Sequence, residues 1–392
     1  MNSGKYVFTQ LADLIKLTPF RKLVKKYRGD YRAHDLTCYN QFLHLLFSQL
    51  SSCISLRDIC LCLKAHESSL FHMGFGNTVD HTTLSRANER RDCRIYEELG
   101  CFLMKTVRPL YTSEKLDDVN TGLTLLALDS TTISVSLKLC AWALGKYARG
   151  DIKMHTLLDI RGSIPVQIHI SDGRWHGSNM LDQLKIEPYA MHAADKAHVN
   201  LEALWRIHLA NAFFVVRPKS NMKFEFKEEL ANTENDSNVV GDYIVELARE
   251  GAKKLYPDEL RFVRSIDPET GEGIDFITDN FELSALEIAN IYRHRWDIEV
   301  FFRWIKQDIG IKKLWGYSPN AVKTHLWVAV CAYLLLAWAK KLYRSDYSIT
   351  EIATLVSVSL FEKADLKELL ALPNDKPGYL ISKHNVEELT LF

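Results

Sequence analysis

The feature that most constrains this chain is the stretch at residues 285–313, ALEIANIYRHRWDIEVFFRWIKQDIGIKK. It holds no proline, and its single glycine, Gly310, comes near the end. Apolar residues recur at helical spacing, which predicts one long helix over most of it. Tyr292, Arg295, Glu299 and Lys306 fall at offsets of three, seven and fourteen from Tyr292. At roughly 100° per residue these four lie within about 60° of arc. Ile298, Val300, Phe301, Phe302, Trp304 and Ile305 occupy the other faces. Two readings of the stripe stand. It is a solvated face with an i,i+4 Arg–Glu pair worth a few tenths of a kcal/mol. Or it lines a cleft, where a carboxylate takes a metal and the cations hold phosphates. The bulky apolar flanks favour the second.

At 392 residues the chain has room for two or three domains and a large core. The net charge is zero, so any affinity for nucleic acid must come from local patches. Residues 1–35 carry eight basic side chains against three acids, net +5. The tail from Ser345 has eight acids against four lysines, net −4. None of the eight cysteines forms a C-x-x-C pair, and most lie in apolar helical surroundings. They are expected to be reduced, buried thiols of a cytoplasmic protein. Zinc held by Cys60, Cys62 and His66 is the other reading. No signal peptide is expected. The longest apolar run, residues 326–339, is too short for the roughly 20 residues of a bilayer span and predicts a core helix.

Residues 1–115 read as an all-α region. Residues 80–98, DHTTLSRANERRDCRIYEE, open with cap chemistry and continue with Arg86, Arg90, Arg91 and Arg94. A helix starting near Thr82 or Thr83 is either a recognition helix with its arginines on phosphates, or a solvated helix of mixed charge. Near residue 121 the pattern changes to strands. Residues 122–129 form a short apolar run ending at Asp129, as in a central strand. A hairpin at 153–170, a helical piece at 180–186, a strand at 189–194, a helix at 199–209 and a strand at 212–218 come next. Residues 223–283 alternate short strands with Gly, Asn and Pro turns, and 223–275 holds 14 acids against 7 bases. This predicts mixed α/β. Asp129 caps the turn after it or, offset by a cation, is catalytic. Asp159, Asp172, Asp182 and Asp195 are its possible partners. Asp159 and Asp172 read as turn residues, and Asp182 as a cap or first-turn acid.

Tyr292-x-x-Arg295, Glu299 and Lys306 together resemble the Y-R-E-K signature of the insertion sequence 4 family of bacterial DDE transposases. Arg295-Trp296 and residues 306–330 are also similar to that family, and the resemblance extends over nearly the whole chain, from residues 6–15 to about residue 340, and is weakest after that. The resemblance implies a ribonuclease-H-like catalytic core with a mostly-β insertion, preceded by an all-α DNA-binding region. The expected boundaries are 1–115 for end binding, 116–222 and 284–343 for the core, 223–283 for the insertion and 344–392 for a helical segment. That last segment serves either dimerisation or as a cap on the core. The ALDSTT segment matches the family's first catalytic Asp, Asp129. Asp195 matches the second, eleven residues before Arg206-Ile207-His208. The family reads Asp-Arg-Gly-Tyr there, against Asp195-Lys196-Ala197-His198 here, which departs at the local turn.

Asp129, Asp195 and Glu299 would then hold two Mg²⁺, or Mn²⁺ as a substitute, about 3.5–4 Å apart. Tyr292, Arg295 and Lys306 would anchor the phosphate near the cut. Trp296 would stack on an unpaired base or pack in the core, and Arg86 and Arg90 would contact the DNA ends. The implied activity is cut-and-paste transposition: binding of terminal inverted repeats, strand cleavage with or without a hairpin intermediate, and transfer into target DNA. The implied state is a homodimer on DNA, cytoplasmic and nucleoid-associated, with no membrane partner. A related nuclease, or a decayed copy that only binds DNA as a regulator, are the alternatives.

Overall fold

The computed structural model describes residues 4–51, 53–145, 150–175, 178–230, 238–267, 270–308 and 314–371. Residues 309–313 of the 285–313 stretch, and residues 372–392 of the C-terminal segment, lie outside the described residues. The chain opens with seven helices: α1 (Val7–Ala12), α2 (Leu17–Lys26), α3 (Cys38–Leu50), α4 (Leu56–Ala65), α5 (Glu67–Leu70), α6 (His81–Arg90) and α7 (Arg94–Val107). Thr37 and Ser55 cap α3 and α4 by accepting from the N–H three residues on. A mixed α/β region comes after them. It contains β1 (Thr124–Val135), β2 (Gly150–Asp159), β3 (Ile164–Asp172), α8 (Ser178–Asp182), β4 (Ala190–Ala194), α9 (Leu201–Leu209) and β5 (Phe213–Val216).

The next segment runs β6 (Phe224–Glu229), β7 (Val239–Leu247), α10 (Glu250–Lys253), β8 (Leu260–Ile266) and β9 (Gly273–Thr278). These strands do not form a sheet of their own. β9 pairs antiparallel with β5, so all nine strands form one sheet in the order β3-β2-β1-β4-β5-β9-β8-β7-β6. β1, β4 and β5 are parallel to one another and the other pairings are antiparallel. The central strands read as continuous apolar runs because both faces are covered. Leu125 and Ala127 enter one core cluster, and Leu126 and Leu128 enter the other.

β1 does not stop at Asp129, as the apolar run predicts. Its parallel partner β4 ends at Ala194, opposite Leu128, while pairing to β2 continues as far as Val135. What changes at Asp129 is the number of flanking strands, and burial beyond it alternates.

The helix predicted over residues 285–313 is segmented. It comprises α11 (Ala285–Arg293), a 3₁₀ turn (His294–Trp296), α12 (Asp297–Arg303) and a π-turn (Trp304–Asp308). The tight turn and the wide turn each rotate the next segment, so the regular 100° arc does not hold across the whole stretch. α13 (Pro319–Tyr343) is long and apolar enough to cross a membrane by length and composition, with mean hydropathy 1.5. Of its most apolar window 89% is buried against other elements, as expected of a core helix. It packs on α3, α6 and α7, which ties the amino-terminal helices to the carboxy-terminal half. α14 (Ile349–Ser359) and α15 (Leu366–Leu369) come last. This part folds back on α1: Val7 N–H donates to Glu362 O at 2.9 Å and Gln10 Nε2 to Ala364 O at 2.6 Å.

Candidate active site

Two carboxylates emerge side by side from parallel strands. Leu128 on β1 is in register with Ala194 on β4, and each is followed by an aspartate, Asp129 and Asp195. Neighbouring strands lie about 4.8 Å apart, so the two acids start as close neighbours at the carboxyl end of β4, the kind of place where open α/β sheets bind ligands. Asp195 opens a 3₁₀ turn, Lys196–His198, and its side chain does not cap that turn. The carboxylate is thus left for other partners.

Those partners come from the segmented helix. Tyr292 Oη donates to Asp195 Oδ1 at 3.3 Å, and Arg295 Nη1 donates to Asp129 Oδ2 at 3.0 Å. Tyr292 is buried, with its ring 4.7 Å from that of Phe276 on β9. Burial pushes its hydroxyl up to about 12 despite the nearby Arg295. The Arg295 guanidinium lies over the rings of Tyr292 and Trp296, 5.4 and 5.2 Å from their centroids. Its Nε is buried with no hydrogen-bond partner. Glu299, one turn on, is half-buried. Its carboxyl is raised above the usual range, first by burial and then by the charge of Asp129, with Arg295, Arg303 and Lys306 opposing.

The expected residues therefore do not all sit alike. Asp129, Asp195, Tyr292 and Arg295 meet directly. Glu299 faces them within electrostatic reach, and Lys306 is exposed on the π-turn. Trp296 is 56% exposed, so it is not the core tryptophan that one reading allowed. Arg86 and Arg90 are exposed on α6 in the amino-terminal helices, away from this cluster.

The other aspartates are engaged in the scaffold. Asp159 is ion-paired with Arg108 at 2.9 Å and with Arg161 at 3.5 Å, and Asp182 with Arg206 at 2.7 Å. Asp172 accepts from Arg174 N–H at 3.1 Å.

Sequence reasoning missed three residues around the carboxylates. His198 is buried and neither ring nitrogen has a partner. Burial holds its proton affinity down against the pull of Asp129 and Asp195. Arg217 follows β5 and acts electrostatically on Tyr292. Arg303 acts in the same way on Glu299. The usable signal for Arg217 was its place just past the end of a parallel strand.

Among the described residues no group of three or more His, Cys, Asp or Glu side chains is arranged to hold a metal ion as it stands. The donor chemistry still suits a hard cation: two adjacent carboxylates, a third whose ionised form is disfavoured by burial and by the charge of Asp129, and Arg295 supplying a counter-charge to Asp129.

Known families match much of the chain. Residues 120–335, more than half of it, match the family described as "Transposase DDE domain". Residues 3–76 match one described as a "Domain of unknown function (DUF4372)". A protein of Sinorhizobium fredii named as transposase y4zB is 34% identical over 65% of this chain and 72% of its own length. A Geobacillus stearothermophilus protein, named as a transposase for insertion sequence element IS5377, is 31% identical over 60% of each chain. The cryo-EM structure of a piggyBac transposase synaptic complex with hairpin DNA overlays at a TM-score of 0.40 and 12% identity. The overlay covers 81% of this chain and 70% of that one.

Proposed function

This chain belongs to the family of transposase DDE domains, and on that premise we propose that Asp129, Asp195 and Glu299 are its three catalytic carboxylates. The observation that carries the reading is the register of β1 and β4. It sets Asp129 beside Asp195 under a helix that presents Tyr292, Arg295 and Glu299. Three antiparallel strands followed by two parallel ones, β3-β2-β1-β4-β5, support a ribonuclease-H-like core, with β6–β9 as its insertion. The Tyr292, Arg295, Glu299 and Lys306 spacing supports membership of the insertion sequence 4 group with its Y-R-E-K signature.

The three carboxylates would hold two Mg²⁺, which on binding activate the attacking oxygen and stabilise the departing one in an in-line displacement at phosphorus. The chain's own residues do the rest. Arg295 and Lys306 hold non-bridging phosphate oxygens. Tyr292 donates to the same phosphate group or to Asp195. Exposed Trp296 offers a face for an unpaired base, a contact worth about 1–3 kcal/mol. Arg86 and Arg90 contact the element's inverted repeats. The overall activity is cut-and-paste transposition of a bacterial insertion sequence, by a homodimer assembled on DNA. The residues after Asp195 depart from the family pattern. They nevertheless form a turn that leaves the carboxylate facing Tyr292, which favours an active site over a decayed one.

The test uses a labelled duplex carrying one element end, incubated with and without Mg²⁺ beside the Glu299→Ala variant. Metal-dependent cutting at the boundary by the wild type alone is the expected result. Binding without cutting, equal in both proteins, would refute the catalytic reading.

A further inference from the structure

Two buried histidines among the described residues have neither ring nitrogen paired, His198 and His325. The other buried histidines each have a partner: His44 the Asn40 carbonyl, His155 the Ser171 hydroxyl and His192 the Phe213 carbonyl. His325 lies in α13, stacked flat on Trp315 with ring centroids 3.8 Å apart, and burial alone shifts it. His198 lies among charges. Asp129 and Asp195 attract its proton, and Arg295 and Lys153 oppose it. Buried polar atoms without partners cost stability, so two of them on one ring at a strand end call for an occupant.

The backbone sets this ring close to the carboxylates. The turn Lys196–His198 folds back at once, with His198 N–H donating to Asp195 O at 2.9 Å. The residue is 3% exposed. On the other side of β1, Asp129 and Ser130 pair with Thr156 and His155 of β2, and His155 and His198 act on one another electrostatically. Arg295 and Lys153 are donors only, so neither can satisfy an N–H of the ring. Burial, helped by those two cations, keeps the proton affinity of His198 low, and a neutral ring carries one free lone pair.

A neutral imidazole beside two carboxylates is a metal donor set. As the side chains stand the set is not closed, because Arg295 holds Asp129 at 3.0 Å and Tyr292 holds Asp195 at 3.3 Å. A cation that takes the electrostatic place of Arg295 would draw the three donors together.

We propose that His198 is a nitrogen ligand of the metal site, joining Asp129 and Asp195. The assignment rests on the reading that those aspartates hold metal, and it changes which cation fits best. Carboxylate and water oxygens suit Mg²⁺, whereas imidazole favours transition ions, Co²⁺ more than Mn²⁺. The site therefore takes Mn²⁺ and Co²⁺ more tightly than carboxylates alone would, while Mg²⁺ gains little. The departure at Asp195-Lys196-Ala197-His198 thereby supplies a donor, an imidazole where the family pattern has a phenol.

The test uses the full chain without DNA, loaded with Mn²⁺ and read by pulsed electron paramagnetic resonance. A coordinated imidazole nitrogen modulates the Mn²⁺ echo, and wild type should show that modulation. His198→Phe keeps an aromatic ring and should bind Mn²⁺ without it, as should His198→Gln. His155→Gln, which removes the neighbouring imidazole, should retain it. In calorimetric titrations both His198 variants should bind Co²⁺ at least about tenfold more weakly, and Mg²⁺ less than about threefold more weakly. Thermal melts identify which of the two variants is folded as wild type and carries the comparison. Mn²⁺ bound by wild type without nitrogen modulation, or with equal modulation in His198→Phe, would overturn the ligand and leave the carboxylates in place. No Mn²⁺ bound by wild type would overturn both together.

Discussion

Arg295 donates to Asp129 across 3.0 Å, and the arginine is the more buried of the two, 7% exposed against 21%. A buried guanidinium whose Nε has no partner is costly unless a carboxylate offsets its charge. Here the offsetting carboxylate is one of the two aspartates set side by side by strand register. The arginine therefore occupies the electrostatic place that a metal cation would take.

Removing Arg295 should leave Asp129 without its counter-charge. In protein free of DNA, Arg295→Ala is expected to bind Mn²⁺ about tenfold more tightly than wild type, about 1.4 kcal/mol. The same variant should lose cutting, since the phosphate loses its anchor. Calorimetric titration with Mn²⁺ measures the first effect. Unchanged Mn²⁺ affinity would mean that the Arg295–Asp129 pair has no bearing on cation entry.

Asp195 and Asp159 both lie at strand ends and should behave in opposite ways. Asp195→Asn is expected to cut roughly a thousandfold more slowly or worse, with little change in melting. Asp159→Asn takes a counter-charge from Arg161 and from Arg108, which keeps its bidentate pair with Glu187, and should destabilise the fold by about 1–3 kcal/mol while sparing the chemistry. Cutting rates and thermal melts of both variants decide it. A catalytic defect in Asp159→Asn with normal melting would exchange their roles.

His294 clamps the turn that carries Arg295, reaching Asp118 at 2.7 Å and Asp297 at 3.2 Å. The hydrogen bond to Asp297, and then that to Asp118, raise its proton affinity above the usual 6.5. The stabilisation is complete below the unfolded-state value and disappears as pH rises through the higher folded-state value. The stability gap between wild type and His294→Gln should be about 1 kcal/mol near pH 5.5 and should close on the alkaline side of 6.5. Urea unfolding at several pH values reads this directly, and a gap that does not vary with pH would rule the clamp out.

Arg261 on β8 and Asp242 on β7 form a buried bidentate pair at 2.7 and 2.9 Å. Arg261 also donates to the Leu283 carbonyl at 2.5 Å, just before the Ser284 capping box that starts α11. Asp242→Ala should cost about 3–5 kcal/mol by stranding a buried arginine. It should also slow cutting, because the entry to the Tyr292 helix loses its anchor. A melt within about 1 kcal/mol of wild type would show that water or another acceptor replaces Asp242.

Much of the local structure was legible in the chain. The change from helical to strand periodicity near residue 121, the hairpin before β3 and the four short strands after residue 223 all appear where the pattern predicts them. These features depend on which faces of a segment are apolar, and that is written in a window of a few residues. The candidate acids could also be named, since a carboxylate at the end of an apolar strand is conspicuous whatever lies beside it. The segmentation of the 285–313 helix was less visible. A 3₁₀ turn at His294–Trp296 has no proline or glycine to announce it, and it is braced from outside by Asp118.

Local pattern thus carried the order of elements and the supply of chemistry: the acids, the arginine-rich stretches and the apolar run that became α13. Packing in three dimensions settled who meets whom. The β1–β4 register sets Asp129 beside Asp195, and the β5–β9 pairing merges the insertion into the same sheet. The fold of the amino-terminal helices brings two separate arginine clusters, one after α2 and one on α6, into one cleft. Each of these joins residues distant in the chain. Their energy comes from surfaces and hydrogen bonds that exist only once both partners are folded, so no short window of residues records them.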